Sequence, residues 1–422
     1  MQRVIQRIST LKRKGIDMEQ LLHTPEGVRD ITNVECGKKL TLEKEIRRIF
    51  KLYGYHNIQT PTFEYFNVFS KEIGTIDSKE LYKFFDREGD TLVLRPDITP
   101  GVARVAATLY GKETMPIRLC YTGNTFINHI SYQGRLKENT QMGVELIGWD
   151  SYMADTEILV LVIESLLSVG LSNFQLSLGN VGFYNSIIEE TRCSREECEI
   201  IRDFITNRNY FGLEEYLRSI YVDQDKIHKI LMLDELAGGV EVLEKADEIS
   251  TNGKAKESIL RLKQIYETIR LYKLEDYITF DLSMSGGAYH YYTGITFRGY
   301  TFGSGDAIVR GGRYDHLLKQ FGKDSPSIGF AFVIDELLNA VNRQKIHIPY
   351  QRENTIILYE ESELKEATRL AQSLRKEKKA VELLQKETNK DLASYIAYGN
   401  EFYAKSLLFI QKNTEIQRID LS

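Results

Sequence analysis

The segments that decide the fold are Ile117–Thr122, with the sequence IRLCYT, and Met142–Ile147, with the sequence MGVELI. Both are short and mostly apolar, a pattern typical of β-strands. The residues between them, Asn128–Asn139, are mostly polar. We therefore predict two antiparallel strands joined by a long hairpin loop.

The segments on both sides of this hairpin predict further strands and long helices. Apolar residues recur at helical spacing over residues 35–53 and over Ala154–Val169. Further strands are predicted at Thr91–Leu94, Phe174–Leu178, Ile278–Leu282, Thr293–Tyr300, Ala307–Val309 and Ser327–Phe332. The glycine-rich segment Gly311–Asp315 is predicted to lead into a helix. Antiparallel strands combined with long helices indicate an α+β fold.

The composition along the chain suggests how it divides into domains. We expect a core over residues 18–341, in which residues 187–270, rich in Glu, Lys and Leu, form a helical insertion. The polar residues 342–354 predict a linker. Strands and helices alternate over residues 355–422, which predicts a small α/β domain with a parallel sheet.

The first 17 residues are basic and are treated apart from the fold. No apolar stretch follows them, so a secretory signal is not expected. They are expected to be a flexible leader, or an extension from an upstream start codon with Met18 as the natural start, because termini tolerate additions. A basic arm that contacts nucleic acid is the alternative.

Composition and charge exclude several classes of protein. The chain has 422 residues, 55 Lys and Arg and 60 Asp and Glu, and its net charge of −5 gives no sign of nucleic-acid binding. The longest apolar run, Ile158–Ile163, ends at Glu164 and is too short to span a bilayer. The four cysteines lack the C-x-x-C spacing of a zinc site, and the seven histidines are scattered. We expect a cytoplasmic protein with no metal, cofactor, nucleic acid or membrane partner.

Six motifs resemble, in order and spacing, the core of histidyl-tRNA synthetases. They are Thr24–Asp30, Leu94–Thr99, the strand–loop–strand at 117–148, Tyr291–Gly294, Gly311–Asp315 and Gly329–Ala331. The resemblance covers about residues 21–341. It implies the antiparallel sheet of class II aminoacyl-tRNA synthetases, with residues 355–422 as a shortened anticodon-binding-like domain.

The resemblance also implies that the groups needed for adenylation are missing. Class II synthetases stabilise the charge of the ATP triphosphate with arginines. Ile127 and His129 stand at the positions of the motif 2 arginine and glutamate, and Gly287 at the position of a second arginine. Glu336 stands at the motif 3 arginine, where its negative charge repels ATP. This predicts a chain with no catalytic residues for adenylation.

The residues that bind histidine in that family are, in contrast, retained. Oxygen atoms of carboxylates and amides accept hydrogen bonds from an ammonium group. Tyrosine and threonine are also common in strands because they pack well there, whereas buried carboxylates need partners. The candidate histidine-binding residues are Asp97, Thr99, Gln141, Glu145, Tyr291, Tyr292 and Tyr314.

This combination of loss and retention resembles the family of ATP phosphoribosyltransferase regulatory subunits. The segments that carry the resemblance are Thr140–Gly148, Leu178–Gly182, Asp281–Ser283 and Tyr291–Ile295. It implies a non-catalytic protein of histidine biosynthesis, which forms a dimer within a hetero-octamer. Such a subunit binds and activates the short-form ATP phosphoribosyltransferase and mediates feedback inhibition by L-histidine.

The sequence departs from these two families at two positions, and it allows two other functions and a second place for histidine to bind. The family often has arginine at the position of Ile127, and Arg310 replaces a glycine of the synthetases. The chain is alternatively an atypical histidyl-tRNA synthetase, or a synthetase-like module that acts on tRNA or another protein. Histidine alternatively binds at a subunit interface rather than in the synthetase-like pocket.

Overall fold

The computed structural model describes residues 22–69, 77–129, 135–284, 291–349, 352–412 and 414–421. The basic leader and Gly287 lie outside the described residues. The chain divides into two compact units. One contains Leu42–His347 and the described residues before Asp30, and the other contains Asp30–Thr41 and Ile348–Ser422.

The described residues form twelve α-helices. In chain order they are α1 Asn33–Leu52, α2 Thr99–Thr108, α3 Tyr152–Ser168, α4 Val181–Glu189, α5 Arg195–Thr206, α6 Tyr210–Ser219, α7 Gln224–Leu231, α8 Glu241–Ile249, α9 Gly253–Leu271, α10 Ile334–Arg343, α11 Leu364–Lys376 and α12 Leu392–Glu401. None of the helices in the described ranges is long and apolar enough to cross a membrane.

The same residues form sixteen β-strands. They are β1 His56–Asn57, β2 Phe63–Tyr65, β3 Lys83–Phe85, β4 Thr91–Leu94, β5 Ile117–Phe126, β6 Glu138–Ile147, β7 Phe174–Asn180, β8 Ala237–Gly238, β9 Ile278–Asp281, β10 Ile295–Thr301, β11 Val309–Arg313, β12 Ser327–Val333, β13 Thr355–Tyr359, β14 Val381–Gln385, β15 Ser406–Ile410 and β16 Gln417–Asp420.

The larger unit is built on a nine-stranded sheet in the order β1-β5-β6-β12-β11-β10-β7-β9-β8. Strands β5 and β6 pair antiparallel from Ile117 opposite Ile147 to Phe126 opposite Glu138. The predicted hairpin is therefore present, and its strands are longer than expected. Strands β12, β11, β10 and β7 continue the antiparallel pairing, which confirms the predicted α+β fold.

Helix α3 forms much of the core of this unit. Its residues from Ile158 to Ile163 are all buried, so this stretch of the helix is apolar around its whole circumference. It packs against β12 and α9, and α9 also packs against α4. Helix α9 belongs to the predicted helical insertion, whose residues also supply the two-residue edge strand β8, which pairs with β9.

The helix predicted to follow Gly311–Asp315 is a short 3₁₀-helix, Leu318–Phe321, that comes after a turn. Gly311 and Gly312 lie inside strand β11, which extends beyond the predicted strand Ala307–Val309. A Cβ atom at Gly311 would overlap the Phe297 ring, and one at Gly312 would lie 2.8 Å from the Tyr292 ring. The two glycines therefore permit close packing on both faces of a strand.

The smaller unit contains a four-stranded sheet in the order β14-β13-β15-β16. Strands β14, β13 and β15 are parallel, as the alternation of strands and helices predicts. Strand β16 pairs antiparallel with β15 and was not predicted. Its four residues carry only one partly buried side chain, so they have no alternating apolar pattern.

Candidate functional site

One face of the large sheet carries a cavity above a floor of small residues. On this face Gly143 of β6 lies opposite Ala331 of β12, and Glu145 lies opposite Gly329. The cavity is open on one side, and it has about 410 Å³ of empty space when the solvent at its mouth is included. All seven predicted histidine-binding residues line it, namely Asp97, Thr99, Gln141, Glu145, Tyr291, Tyr292 and Tyr314.

Glu145 is the most buried carboxylate of the cavity, with 1% of its surface exposed. Its Oε1 atom accepts hydrogen bonds from the Thr99 hydroxyl at 2.8 Å and from the Tyr121 hydroxyl at 3.2 Å. The Tyr314 hydroxyl donates to its Oε2 atom. Burial raises the pKa of Glu145 to about 8, although the hydrogen bonds from Tyr314 and Thr99 oppose the rise.

Asp97 lies between β4 and α2 and is 3% exposed. Its Oδ1 atom accepts from the backbone N–H groups of Ile98 at 2.7 Å and Thr99 at 3.4 Å, at the start of α2. The Tyr291 hydroxyl donates to Oδ2 at 3.2 Å. Burial raises the pKa of Asp97 above its ordinary value, against the effect of these hydrogen bonds.

Gln141 supplies an acceptor whose hydrogen-bonding capacity is unused. The residue is 8% exposed, lines the cavity, and its Oε1 atom has no hydrogen-bond partner in the described part of the chain. An unpaired buried amide oxygen is unfavourable unless a ligand or water donates to it. A donor group in the cavity would remove this cost.

Three tyrosines form an aromatic wall beside the carboxylates. The rings of Tyr291 and Tyr292 meet edge to face at 5.0 Å, and those of Tyr291 and Tyr314 at 5.7 Å. Edge-to-face contacts hold aromatic rings in fixed relative orientations. The wall therefore offers a defined surface for a small flat group next to two acidic side chains.

The chemistry of the cavity suits a cationic group. Its acidic oxygens receive only neutral hydroxyl and amide donors, and Arg310 is the only positively charged residue lining it in the described ranges. An ammonium group donates three hydrogen bonds and would balance a buried negative charge. Within the described residues, no group of three or more His, Cys, Asp or Glu side chains is arranged to hold a metal ion.

A second and larger cavity, with about 1330 Å³ of empty space, adjoins the first. The synthetase positions predicted to be lost line it: Ile127, His129 and Glu336. The Nδ1 atom of His129 lies 3.6 Å from Glu80 Oε1, and Glu336 accepts a hydrogen bond from the backbone N–H of Gly305 at 3.4 Å. Gly287 lies outside the described residues.

Two polar groups near the cavities were missed from the sequence. Tyr121, which donates to Glu145, lies on β5 directly opposite Gly143, so its position followed from strand alternation once the register of the hairpin was known. Arg298 lines the second cavity from β10. The arginine of the Arg95-Pro96-Asp97 motif has a structural role, because it donates to the backbone carbonyls of Asn124 and Thr60.

Comparison with known proteins gives the family of the chain. The histidyl-tRNA synthetase family model matches residues 27–337. An ATP phosphoribosyltransferase regulatory subunit of Acetivibrio thermocellus is 38% identical over 86% of this chain and 87% of the relative. The chain belongs to the family of ATP phosphoribosyltransferase regulatory subunits. The predicted resemblance to this family, and its place in histidine biosynthesis, are thereby confirmed.

Solved structures agree with this family assignment. The crystal structure of an ATP phosphoribosyltransferase regulatory subunit/histidyl-tRNA synthetase from Bacillus halodurans has a TM-score of 0.82 and is 30% identical, covering 93% of this chain and 99% of that one. A histidyl-tRNA synthetase from Nostoc has a TM-score of 0.74 at 18% identity, covering 94% and 96%. At that identity the likeness shows the fold alone, which is that of the histidyl-tRNA synthetases.

Proposed function

We propose that this chain is a non-catalytic subunit that binds and activates a short-form ATP phosphoribosyltransferase and transmits feedback inhibition by L-histidine. Its membership of the regulatory-subunit family supports a regulatory role and a catalytic ATP phosphoribosyltransferase as partner. The observation that carries the histidine part of the proposal is the burial of Asp97 and Glu145 beside Gln141 Oε1, which lacks a partner in the described ranges.

Histidine fits the chemistry of the first cavity. Its α-ammonium group would donate to Asp97, Glu145 and Gln141, and its imidazole would lie against the tyrosine wall formed by Tyr291, Tyr292 and Tyr314. The tyrosine hydroxyls already donate to the two carboxylates, so the acids are held in place before the ligand arrives. Such preorganisation reduces the entropic cost of binding.

The second cavity supports the loss of adenylation. Synthetases need positive charge around the triphosphate, whereas Ile127 is apolar and Glu336 is negative here. Arg135, Arg298 and Arg310 also line this cavity, alongside the acidic residues Glu80 and Asp306. The loss therefore concerns the positions at which the synthetases place their adenylation arginines, and not every positive charge in the cavity.

Regulation follows if histidine binds two states of the complex unequally. A difference in affinity of about 5-fold to 150-fold between an active and a less active state gives the 1–3 kcal/mol typical of allosteric coupling. We propose that the subunit is a cytoplasmic dimer within a hetero-octamer, and that occupation of the first cavity favours the less active state.

Activity assays with the catalytic subunit test this function. We expect no phosphoribosyl transfer by this chain alone, clear activation when it is added to the short-form enzyme, and inhibition of the mixture by histidine. Glu145→Gln should keep the activation and lose the inhibition, since it changes only the cavity. Arg48→Gln, on the exposed surface of α1, is the control and should retain both.

Two results would contradict the proposal in different ways. Inhibition by histidine that is unchanged in Glu145→Gln would place the effector site elsewhere, for instance at a subunit interface. Histidine-dependent exchange between ATP and pyrophosphate by this chain would show an active synthetase and remove the non-catalytic assignment.

A further inference from the structure

Two arginines lie directly opposite each other on neighbouring strands at the junction of the two cavities. Arg298 of β10 pairs with Arg310 of β11 in the antiparallel register, so both side chains project from the same face of the sheet. Arg310 lines both cavities and Arg298 lines the second. Like charges that face each other across strands are destabilising, so the pair calls for a negative group.

The two arginines differ in the partners that the described residues give them. Arg310 Nη2 lies 2.6 Å from Asp306 Oδ1, and Asp306 is also 4.0 Å from Arg135. Arg298 makes no hydrogen bond or ion pair within the described part of the chain. Asp306 thus serves Arg310 and Arg135, and Arg298 lines the cavity without a partner among the described residues. An incoming anion would supply Arg298 with one.

The sheet leaves an open path from Arg310 to the acidic end of the first cavity. Arg310 lies opposite Ala331, which in turn lies opposite Gly143. On that strand, Gln141 and Glu145 flank Gly143 on the same face of the sheet. Because the two intervening residues are small, no side chain of theirs separates the arginine from the two acceptors.

We propose that Arg310, supported by Arg298, binds the carboxylate of the amino acid whose ammonium group is held at Asp97, Gln141 and Glu145. The inference rests on the proposed function, since it assigns the second half of the same ligand. An α-amino acid carries a positive and a negative group on one carbon, and the described lining of the first cavity offers acidic acceptors and one cation, Arg310. Arginine suits this role because its planar group binds a carboxylate through two parallel hydrogen bonds.

The assignment means that this chain supplies a guanidinium group for the carboxylate from a position that the synthetases do not use. The resemblance to synthetases places arginines at Ile127 and Gly287, and both are absent. Arg310 comes from β11 and replaces a glycine of the synthetases. The amino-acid site thereby gains a cation, while Ile127 and Glu336 stand where the synthetases place arginines for the triphosphate. A chain with this exchange would bind the free amino acid but not activate it.

The test is calorimetric titration of the full chain with L-histidine and with L-histidinol, which carries an alcohol in place of the carboxylate. The wild-type protein should bind histidine about 10-fold to 100-fold more tightly than histidinol, as expected for a charged hydrogen-bonded pair. Arg310→Gln should remove most of this preference and change histidinol binding by less than about threefold. Asp97→Asn should weaken both ligands alike, because both carry the ammonium group.

Arg298→Gln and Arg48→Gln complete the test. Arg298→Gln should reduce the preference for histidine partly and should not lower the melting temperature, because it removes a like-charge contact. Arg48→Gln is the matched surface control and should bind as the wild type does. If Arg310→Gln does not fold, the Arg298→Gln result alone decides the assignment.

Three outcomes would overturn the inference. Equal weakening of histidine and histidinol by Arg310→Gln would give the arginine a merely structural role. An unchanged preference in both arginine variants would place the carboxylate elsewhere, with the proposed histidine site intact. A wild-type protein that binds neither ligand would remove this inference and the histidine part of the proposed function together.

Discussion

Two groups of buried carboxylates in the larger unit differ in the partners that the protein supplies. Asp155, on α3, is fully buried and receives Arg313 Nη2 at 2.6 Å and Arg261 Nε at 2.6 Å. Glu145 and Asp97 are almost as buried, and among the described residues they receive only hydroxyl and backbone N–H donors. Asp155 is neutralised within the fold, whereas the described residues give Glu145 and Asp97 no such cation, as in a site for a cationic ligand.

The two arginines of strand β11 show the same contrast. Arg313 is 2% exposed and is bound by Asp155, by Asp315 at 3.1 Å and by the Trp149 carbonyl. Arg310, on the opposite face, lines both cavities and shares Asp306 with Arg135. Burial among carboxylates therefore marks the structural arginine, and a position that lines both cavities marks the one that we assign to a ligand.

The largest expected effect is on stability and comes from Asp155→Ala. Removing this carboxylate leaves two guanidinium groups without their main partner, which should lower the free energy of unfolding by about 3–5 kcal/mol. Denaturant unfolding measures this, and the fluorescence of Trp149, the single tryptophan, reports on the same region. Glu267→Ala, in an exposed pair with Arg270, is the control and should cost less than about 1 kcal/mol. A small loss in the free energy of unfolding for Asp155→Ala would contradict the contrast between Asp155 and the carboxylates of the cavity.

The second prediction concerns Glu145→Gln, which should weaken histidine binding about 10-fold to 100-fold without destabilising the protein. Calorimetry gives the affinity, and thermal unfolding of the free protein gives the stability.

Between pH 4.5 and 8 the folded protein retains a proton on Glu145 that the unfolded chain has released, so the stability of the wild type falls as pH rises. The variant lacks this dependence and should gain stability relative to the wild type up to about pH 8. A destabilised variant at pH 8 would assign Glu145 to the structural group.

Histidine affinity should depend on pH through the same residue. Since burial raises the pKa of Glu145 to about 8, binding of an ammonium group near neutral pH must release a proton. The histidine affinity of the wild type, divided by that of Glu145→Gln, should therefore rise about tenfold per pH unit from pH 6.5 towards pH 8. Above pH 8 this ratio should level off. Calorimetry in buffers of different ionisation enthalpy counts the released proton. A ratio independent of pH would mean that the acid is already ionised before binding.

The smallest expected effect comes from Thr99→Val, which removes the hydrogen bond to Glu145 Oε1 and keeps the shape of the side chain. Hydrogen bonds to an ionised carboxylate lower its pKa, so their loss should raise the pKa of Glu145 further. Histidine binding at pH 7.5 should weaken about threefold to tenfold, and the levelling of the pH profile should move to higher pH. Thr108→Val, on the exposed end of α2, should leave the profile unchanged. A shift to lower pH would contradict the role of Thr99.

Much of the fold was predictable from sequence because its signals are local. The apolar run of α3 and the paired segments of β5 and β6 follow from periodicity, which depends only on neighbouring residues. The continuation of β11 through Gly311 and Gly312 was not predicted, because glycines mark turns far more often than closely packed strands. Strand β16 has no local pattern and exists because β15 offers it an edge.

The sequence by itself determined the family and the seven candidate residues that line the first cavity, because motif order and residue type are properties of the chain. Only the tertiary structure decided how those residues are paired. The register of β10 and β11 sets Arg298 against Arg310, and burial gives Glu145 its raised pKa. Charge pairing depends on distances between residues far apart in the chain, so it cannot be predicted from composition or motif spacing.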